Sequence, residues 1–174
     1  MVHETISGRT SVRQYTGESV PEELIDKLLR AAMAAPSSRN IQPWKFYVIT
    51  DRQLLQVLAE KLPYAKMLAG APLAIVVCGD TIKGNPNEEQ KMNWIMDCSA
   101  ASQNLLLSAH SMGLGAVWTG VYPYRERIDV VREALSLPGH LIPLNIIPVG
   151  YPDGDFPPKD KWDEQKIHFI READ

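Results

Sequence analysis

The sequence predicts one domain, spanning 1–174, in which helices and strands share a common core. Three observations predict it. A length of 174 residues suits a single domain, which usually runs ~100–200 residues. Hydrophobic residues make up 45% and charged residues 22%, the balance of a folded chain and not of a disordered one. Short apolar runs of strand length alternate with stretches whose apolar residues recur at helical spacing.

The elements follow in order. Residues 7–17 are polar and basic, with Arg9, Ser11 and Arg13 in alternation. Pro21 suits the first turn of a helix, where a missing N–H costs nothing, and Leu24, Ile25, Leu28, Leu29 and Ala32 form its apolar stripe. Pro36 stops it and opens a loop to Pro43. Trp44 to Thr50 reads as a strand, and Asp51 as the N-cap of a helix carrying Leu54, Leu55 and Leu58. Pro63 to Ala71 is a short helix and turn. Leu73 to Gly79 is apolar on both faces, which predicts a central, buried strand. A Gly/Asn/Pro loop leads to the longest helix, from about Glu88 to Met112, ended by Gly113. Residues 114–121 read as a third strand, Arg125 to Leu135 as a helix, and Leu141 to Val149 as a fourth strand. Pro143 and Pro148 cannot donate to a ladder, so that strand is expected at an edge or bulged. The polar tail from Tyr151 keeps Phe156, Trp162, Ile167 and Phe169, which predicts that it lies across its own domain or a partner chain.

Several chemistries are excluded. A formal charge of −3 gives no pull toward nucleic acid or anionic membrane. Cys78 and Cys98 have no CxxC or Cys/His companion and read as reduced, packed thiols, so no metal is expected. The four histidines lack ligand spacing. There is no phosphate-loop motif and no GxSxG elbow. Gly113-Leu-Gly115 lacks the third glycine of a dinucleotide fingerprint and follows a helix instead of a strand. Met1 to Arg13 has no apolar signal core, and Leu73 to Cys78 is too short to span a bilayer, which needs ~20 residues, so a cytoplasmic protein is expected. What remains is chemistry supplied by a bound organic cofactor.

Three segments fit that idea. In extended Arg9-Thr10-Ser11-Val12-Arg13, positions i, i+2 and i+4 face one way, so two guanidinium groups and a hydroxyl converge on one anion or planar ring. In Pro36-Ser37-Ser38-Arg39-Asn40-Ile41-Gln42-Pro43, hydroxyls and amides both donate and accept, as a uracil-like ring edge requires. In Gly113-Leu-Gly-Ala-Val-Trp118-Thr119-Gly120, glycines permit close backbone approach to a flat ligand. Each also has a plainer reading: solvated arginines, an ordinary loop, and a helix cap followed by a buried strand.

Taken together, RTSVRQY, APSSRNIQPWKFYVI, DCSAASQNLLLSAHSMGLGAVWTG, and PVGYP followed by PPKDKW and IHF resemble the nitroreductase family of flavoproteins over essentially the whole chain. The resemblance implies an α+β fold, with a mainly antiparallel sheet wrapped by helices. It also implies an intertwined homodimer with exchanged C-terminal arms and two FMN sites between the subunits. Arg9, Thr10 and Ser11 would begin the FMN-binding motif, with Arg9 on the phosphate and Arg13 near N1 and O2 of the ring. Lys159 and Lys161 would join Arg9, although Lys-Asp-Lys stands where Lys-x-Arg is commoner. Pro36, Ser37, Ser38 and Asn40 would come from the other subunit, and Trp118, Thr119 and Gly120 would lie along the ring.

The implied activity is a ping-pong transfer of hydride from NAD(P)H through flavin N5 to a small acceptor such as a nitroaromatic, a quinone or another flavin. No side chain is required as a catalytic acid or base. Alternatives are a flavin enzyme of this fold with another reaction (dehalogenation or flavin fragmentation), a non-catalytic FMN-binding or redox-sensing module, and a cofactor-free interaction domain. Tyr122 and Tyr124 line either the substrate side or a surface turn.

Overall fold

The computed structural model describes residues 2–170. Its helices are α1 (Val2–Gly8), α2 (Glu22–Met33), α3 (Arg52–Lys61), α4 (Asn93–Ser111) and α5 (Arg125–Ala134). Its strands are β1 (Trp44–Ile49), β2 (Leu73–Asp80), β3 (Gly115–Ala116), β4 (Thr119–Gly120) and β5 (Leu141–Gly150). Short 3-10 turns occupy Ser38–Asn40, Lys66–Ala69 and Glu164–Lys166.

The sheet runs β1-β2-β5-β3, with β4 also on β5, and every pairing is antiparallel. Side chains of a strand alternate between faces, and both faces here are covered. Ile75, Val77, Ile147 and Val149 pack with Leu28, Ala101 and Leu105 from α2 and α4. Ala74, Val76, Cys78 and Ile146 pack on the other side with Leu55, Leu58, Ile128 and Val131 from α3 and α5. The unbroken apolar run of β2 is thus explained by burial on both faces. Each fully buried Leu, Ile or Val stabilises the fold by about 1.5–3 kcal/mol.

Helix termini follow their sequence signals. The Asp51 carboxylate accepts from the N–H groups of Gln53 and Leu54 at 2.8 and 3.1 Å. Gly113 adopts φ 75°, and Leu114 N donates back to Ala109 O at 2.9 Å, which satisfies the last carbonyls of α4.

Four expectations change. β5 is central and not at an edge. It accommodates its prolines by a register shift opposite Val77/Cys78. The strand expected at 114–121 is two short pieces in one register on β5, because the gap at Val117 and Trp118 falls opposite Pro148, which has no N–H to give. α4 begins at Asn93 instead of about Glu88, since the Asn87 side chain captures Gln90 N at 3.0 Å and holds a turn there. α1 was not anticipated: it buries no residue and so leaves no apolar stripe to read.

Both cysteines are buried and unbridged, as expected. Burial pushes the Cys78 thiol up to about 12, and Cys98 is raised by burial in the same way. The thiol is the favoured form in the folded state, while the unfolded chain releases its proton near 9. Stability is therefore full below pH 9 and falls as the pH rises toward 12. Two such groups give a loss of about 2–3 kcal/mol between pH 8 and 10. Urea unfolding at the two pH values checks this, and the loss should shrink by about half in Cys98→Ala.

Candidate active site

Both chain ends meet at one place. The N-terminal stretch leaves α1 at Gly8 and crosses the end of the sheet, where Val12 N donates to Ala116 O at 3.1 Å. Val12 is buried, and a Cβ at Gly115 would lie 2.6 Å from its side chain. Gly115 is therefore required by this crossing. Tyr15 locks the stretch: its hydroxyl donates to Val12 O at 2.7 Å and lies 3.3 Å from Pro148 O. Val12 is turned inward, while Arg9 and Ser11 are half-buried and Arg13 is exposed.

Arg9 lines an open cleft of roughly 530 Å³ whose opposite wall is Pro158, Lys159, Asp160 and Lys161. Thus three of the cations singled out in the sequence come together from positions 150 residues apart along the chain. Among the described residues none of the three has a carboxylate within ion-pair distance. Asp160 is turned to accept Trp162 N at 3.0 Å. Three cations against the single acid Asp160, none of them ion-paired among the described residues, fit a phosphate dianion. Thr10 lines the neighbouring cleft with His110 and Phe156, and Arg13 lies outside the cation cleft.

Trp118 stands in the break between β3 and β4, and Thr119 and Gly120 form β4. Trp118 is 37% exposed. Thr119 is turned inward with its hydroxyl unpartnered. Above Gly120 the space is open, with Trp118 Nε1 4.0 Å from a Cβ position. The two tyrosines part company. Tyr122 packs edge-on against Trp94, centroids 5.2 Å apart, while Tyr124 is exposed.

The loop of Pro36, Ser37, Ser38 and Asn40 lies elsewhere. Arg39, Asn40 and Gln42 all take positive φ, 50°, 55° and 53°, a conformation that side-chain-bearing residues hold only under constraint. The constraint comes from α4: Asp97 Oδ1 accepts Ser38 N at 2.9 Å, and Asn93 Nδ2 donates to Ser38 Oγ at 3.1 Å. Ser37 Oγ accepts Gln42 N at 2.9 Å, and Arg39 donates to Gln90 at 2.8 Å. Asp97, only 7% exposed, was not singled out from sequence; its signal is one acid among the small and apolar residues of α4. Gly8 abuts His110 near the far end of α4. Thirteen residues separate Asp97 from His110, or about 20 Å at ~1.5 Å per residue. Within one chain the loop and the cation cleft are well apart.

An antiparallel sheet covered by helices on both faces, with a cation cleft at its end, is an α+β architecture of the kind the resemblance implied. Comparison with known proteins agrees. The sequence profile of the Nitroreductase family matches residues 6–63 and 52–151. A "Putative NADH dehydrogenase/NAD(P)H nitroreductase" of Methanothermobacter thermautotrophicus is 47% identical over 168 residues, 97% of this chain and 86% of its own. A crystal structure bearing the same name, from Parabacteroides distasonis, superimposes with a TM-score of 0.91 at 57% identity, covering 97% of this chain and 96% of that one. An FMN-dependent nitroreductase of Clostridium difficile gives 0.87 at 31% identity, covering 97% and 99%. The chain belongs to the Nitroreductase family.

Proposed function

We propose that the protein is an FMN-dependent oxidoreductase that uses NAD(P)H and works as a homodimer. The observation that carries the reading is the meeting of Arg9, Lys159 and Lys161 in one cleft, with no ion pair to any of them among the described residues. Relatives bearing the names FMN reductase (NADPH) and oxygen-insensitive NADPH nitroreductase support it.

When bound, FMN would supply the two-electron chemistry, passing hydride from NAD(P)H to an acceptor in a ping-pong cycle. The chain's own residues bind and orient. Arg9, Lys159 and Lys161 hold the phosphate, with Thr10 and Ser11 beside them. Arg13 offers positive charge to the side of the ring that becomes negative on reduction. Trp118, Thr119 and Gly120 offer a partly open strand against which a flat ring can rest. Pro36, Ser37, Ser38 and Asn40 bring hydroxyls and an amide to the ring edge. Because they stand about 20 Å from the cation cleft along α4, a second copy supplies them.

Two further features support a dimer. Val2, Ile6, Ala31, Ala34 and Leu107 line an apolar groove on the outer face of α1, α2 and α4. The tail leaves Trp162 72% and Ile170 96% exposed, apolar surface that its own chain does not cover. Among the described residues no helix is long and apolar enough to cross a membrane.

The test is an absorbance spectrum of the purified protein, reconstituted with FMN, before and after adding NADH or NADPH. A flavin band that bleaches, then returns with a quinone or nitroaromatic over many turnovers, is the expected result. A colourless protein overturns the reading. Bound FMN without turnover leaves a redox-sensing module instead.

A further inference from the structure

Exposed Tyr124 borders a second cleft, of roughly 390 Å³, between the end of α3 and the start of α5. Lys61, Arg125 and Arg127 line it against one acid, Glu126. Arg125 is neutralised by Asp129 at 3.2 Å. Among the described residues Lys61 and Arg127 have no carboxylate partner. A chain of net charge −3 thus places two cations without an ion pair among the described residues here, beside the single acid Glu126 and apart from the Arg9 cleft.

Arg127 is held firmly. Its guanidinium lies 3.8 Å from the Tyr124 ring centroid and 5.9 Å from that of Tyr64. Its Nη1 donates to Gly120 O at 3.0 Å. Tyrosine faces and a planar guanidinium form a surface on which a purine stacks, and a lysine beside them meets a phosphate. The bond to Gly120 puts the cleft one side chain away from the strand assigned above to the flavin ring.

We propose that this cleft recognises the phosphorylated adenosine end of the nicotinamide donor, with Lys61 and Arg127 on a ribose 2′-phosphate, and so selects NADPH over NADH. The assignment rests on the flavin reading for its place in the reaction, but not for its binding chemistry. Tyr124 and Arg127 carry the purine, and Lys61, exposed at the last turn of α3, supplies charge that only a phosphate needs.

The experiment has two arms. In the first, adenosine 2′,5′-bisphosphate and adenosine 5′-monophosphate are titrated into the protein by calorimetry. The 2′-phosphorylated ligand should bind about tenfold more tightly, weaken with added salt, and lose that advantage in Lys61→Glu. Equal affinity for the two, or an unchanged advantage in Lys61→Glu, overturns the proposal. This arm needs no flavin, so its outcome is separate from that of FMN binding. In the second arm, KM values are measured on the FMN-loaded enzyme. Lys61→Ala should raise KM for NADPH about tenfold and KM for NADH less than about threefold. Equal shifts for both donors, or none, overturn it.

Discussion

Arg9→Ala is expected to weaken FMN binding by about 10- to 100-fold. A hydrogen bond to a charged group contributes about 1.5–3 kcal/mol, and each 1.4 kcal/mol is tenfold in affinity. Among the described residues none of the three cations in the cleft is held in an ion pair, so no such pair is broken when the phosphate enters. Lys159→Ala should act in the same direction. The double variant should lose less than the product of the two, since the dianion then leans on Lys161 and on solvent cations. Riboflavin, which lacks the phosphate, is the internal control: its affinity should be unchanged by Arg9→Ala. Quenching of flavin fluorescence at low and moderate salt reads all of this, with the wild-type protein showing the steeper salt dependence. If Arg9→Ala weakens riboflavin and FMN equally, the cation acts on something other than phosphate. If neither moves, the cleft is not the phosphate site.

The convergence of the two chain ends followed from the family resemblance, while local pattern alone gave only the extended stretch. Alternation in Arg9, Ser11 and Arg13 requires an extended stretch, and Val12 pinned to Ala116 provides one. The cap signals Asp51 and Gly113 were legible because each acts locally, within a few residues. The position of β5 was not. Pro148 argues for an edge strand only if its missing N–H faces a continuous neighbour, and here it faces the break between β3 and β4. Nor was the role of Asp97 readable. Whether a lone acid on a helix meets solvent or a loop 59 residues away depends on how α4 packs, which no local pattern encodes. The separation of Tyr122 from Tyr124 has the same origin. One ring meets Trp94, 28 residues away at the start of α4, and the other meets Arg127, three residues on in α5; only the packing of α4 decides which tyrosine is covered.

Asp97 gives the second large effect. Asp97→Ala removes the acceptor of Ser38 N and leaves three residues at positive φ with a weaker hold. The cost to folding should be about 1–3 kcal/mol, the penalty for a polar group left without its partner. Turnover should fall further than stability alone explains, because the loop relaxes away from the ring edge it is proposed to serve. Asp97→Asn keeps an oxygen acceptor in the same place, so it should restore most of both; failure of that rescue would show that charge, not the hydrogen bond, matters. The decisive measurement mixes subunits. One chain carries Arg9→Ala with its loop intact, the other Asp97→Ala with its Arg9 intact, and the mixed dimer is isolated on two tags. If each site takes its cations from one copy and its loop from the other, one of the two sites is whole. The mixed dimer should then recover about half of wild-type turnover, although both parent homodimers are impaired. A mixed dimer as poor as its parents would place Arg9 and Ser38 on the same flavin from the same chain, against the roughly 20 Å that separates them along α4. A chain that stays monomeric while turning over would remove the shared site altogether. It would leave the loop's constrained backbone serving a purpose within its own subunit.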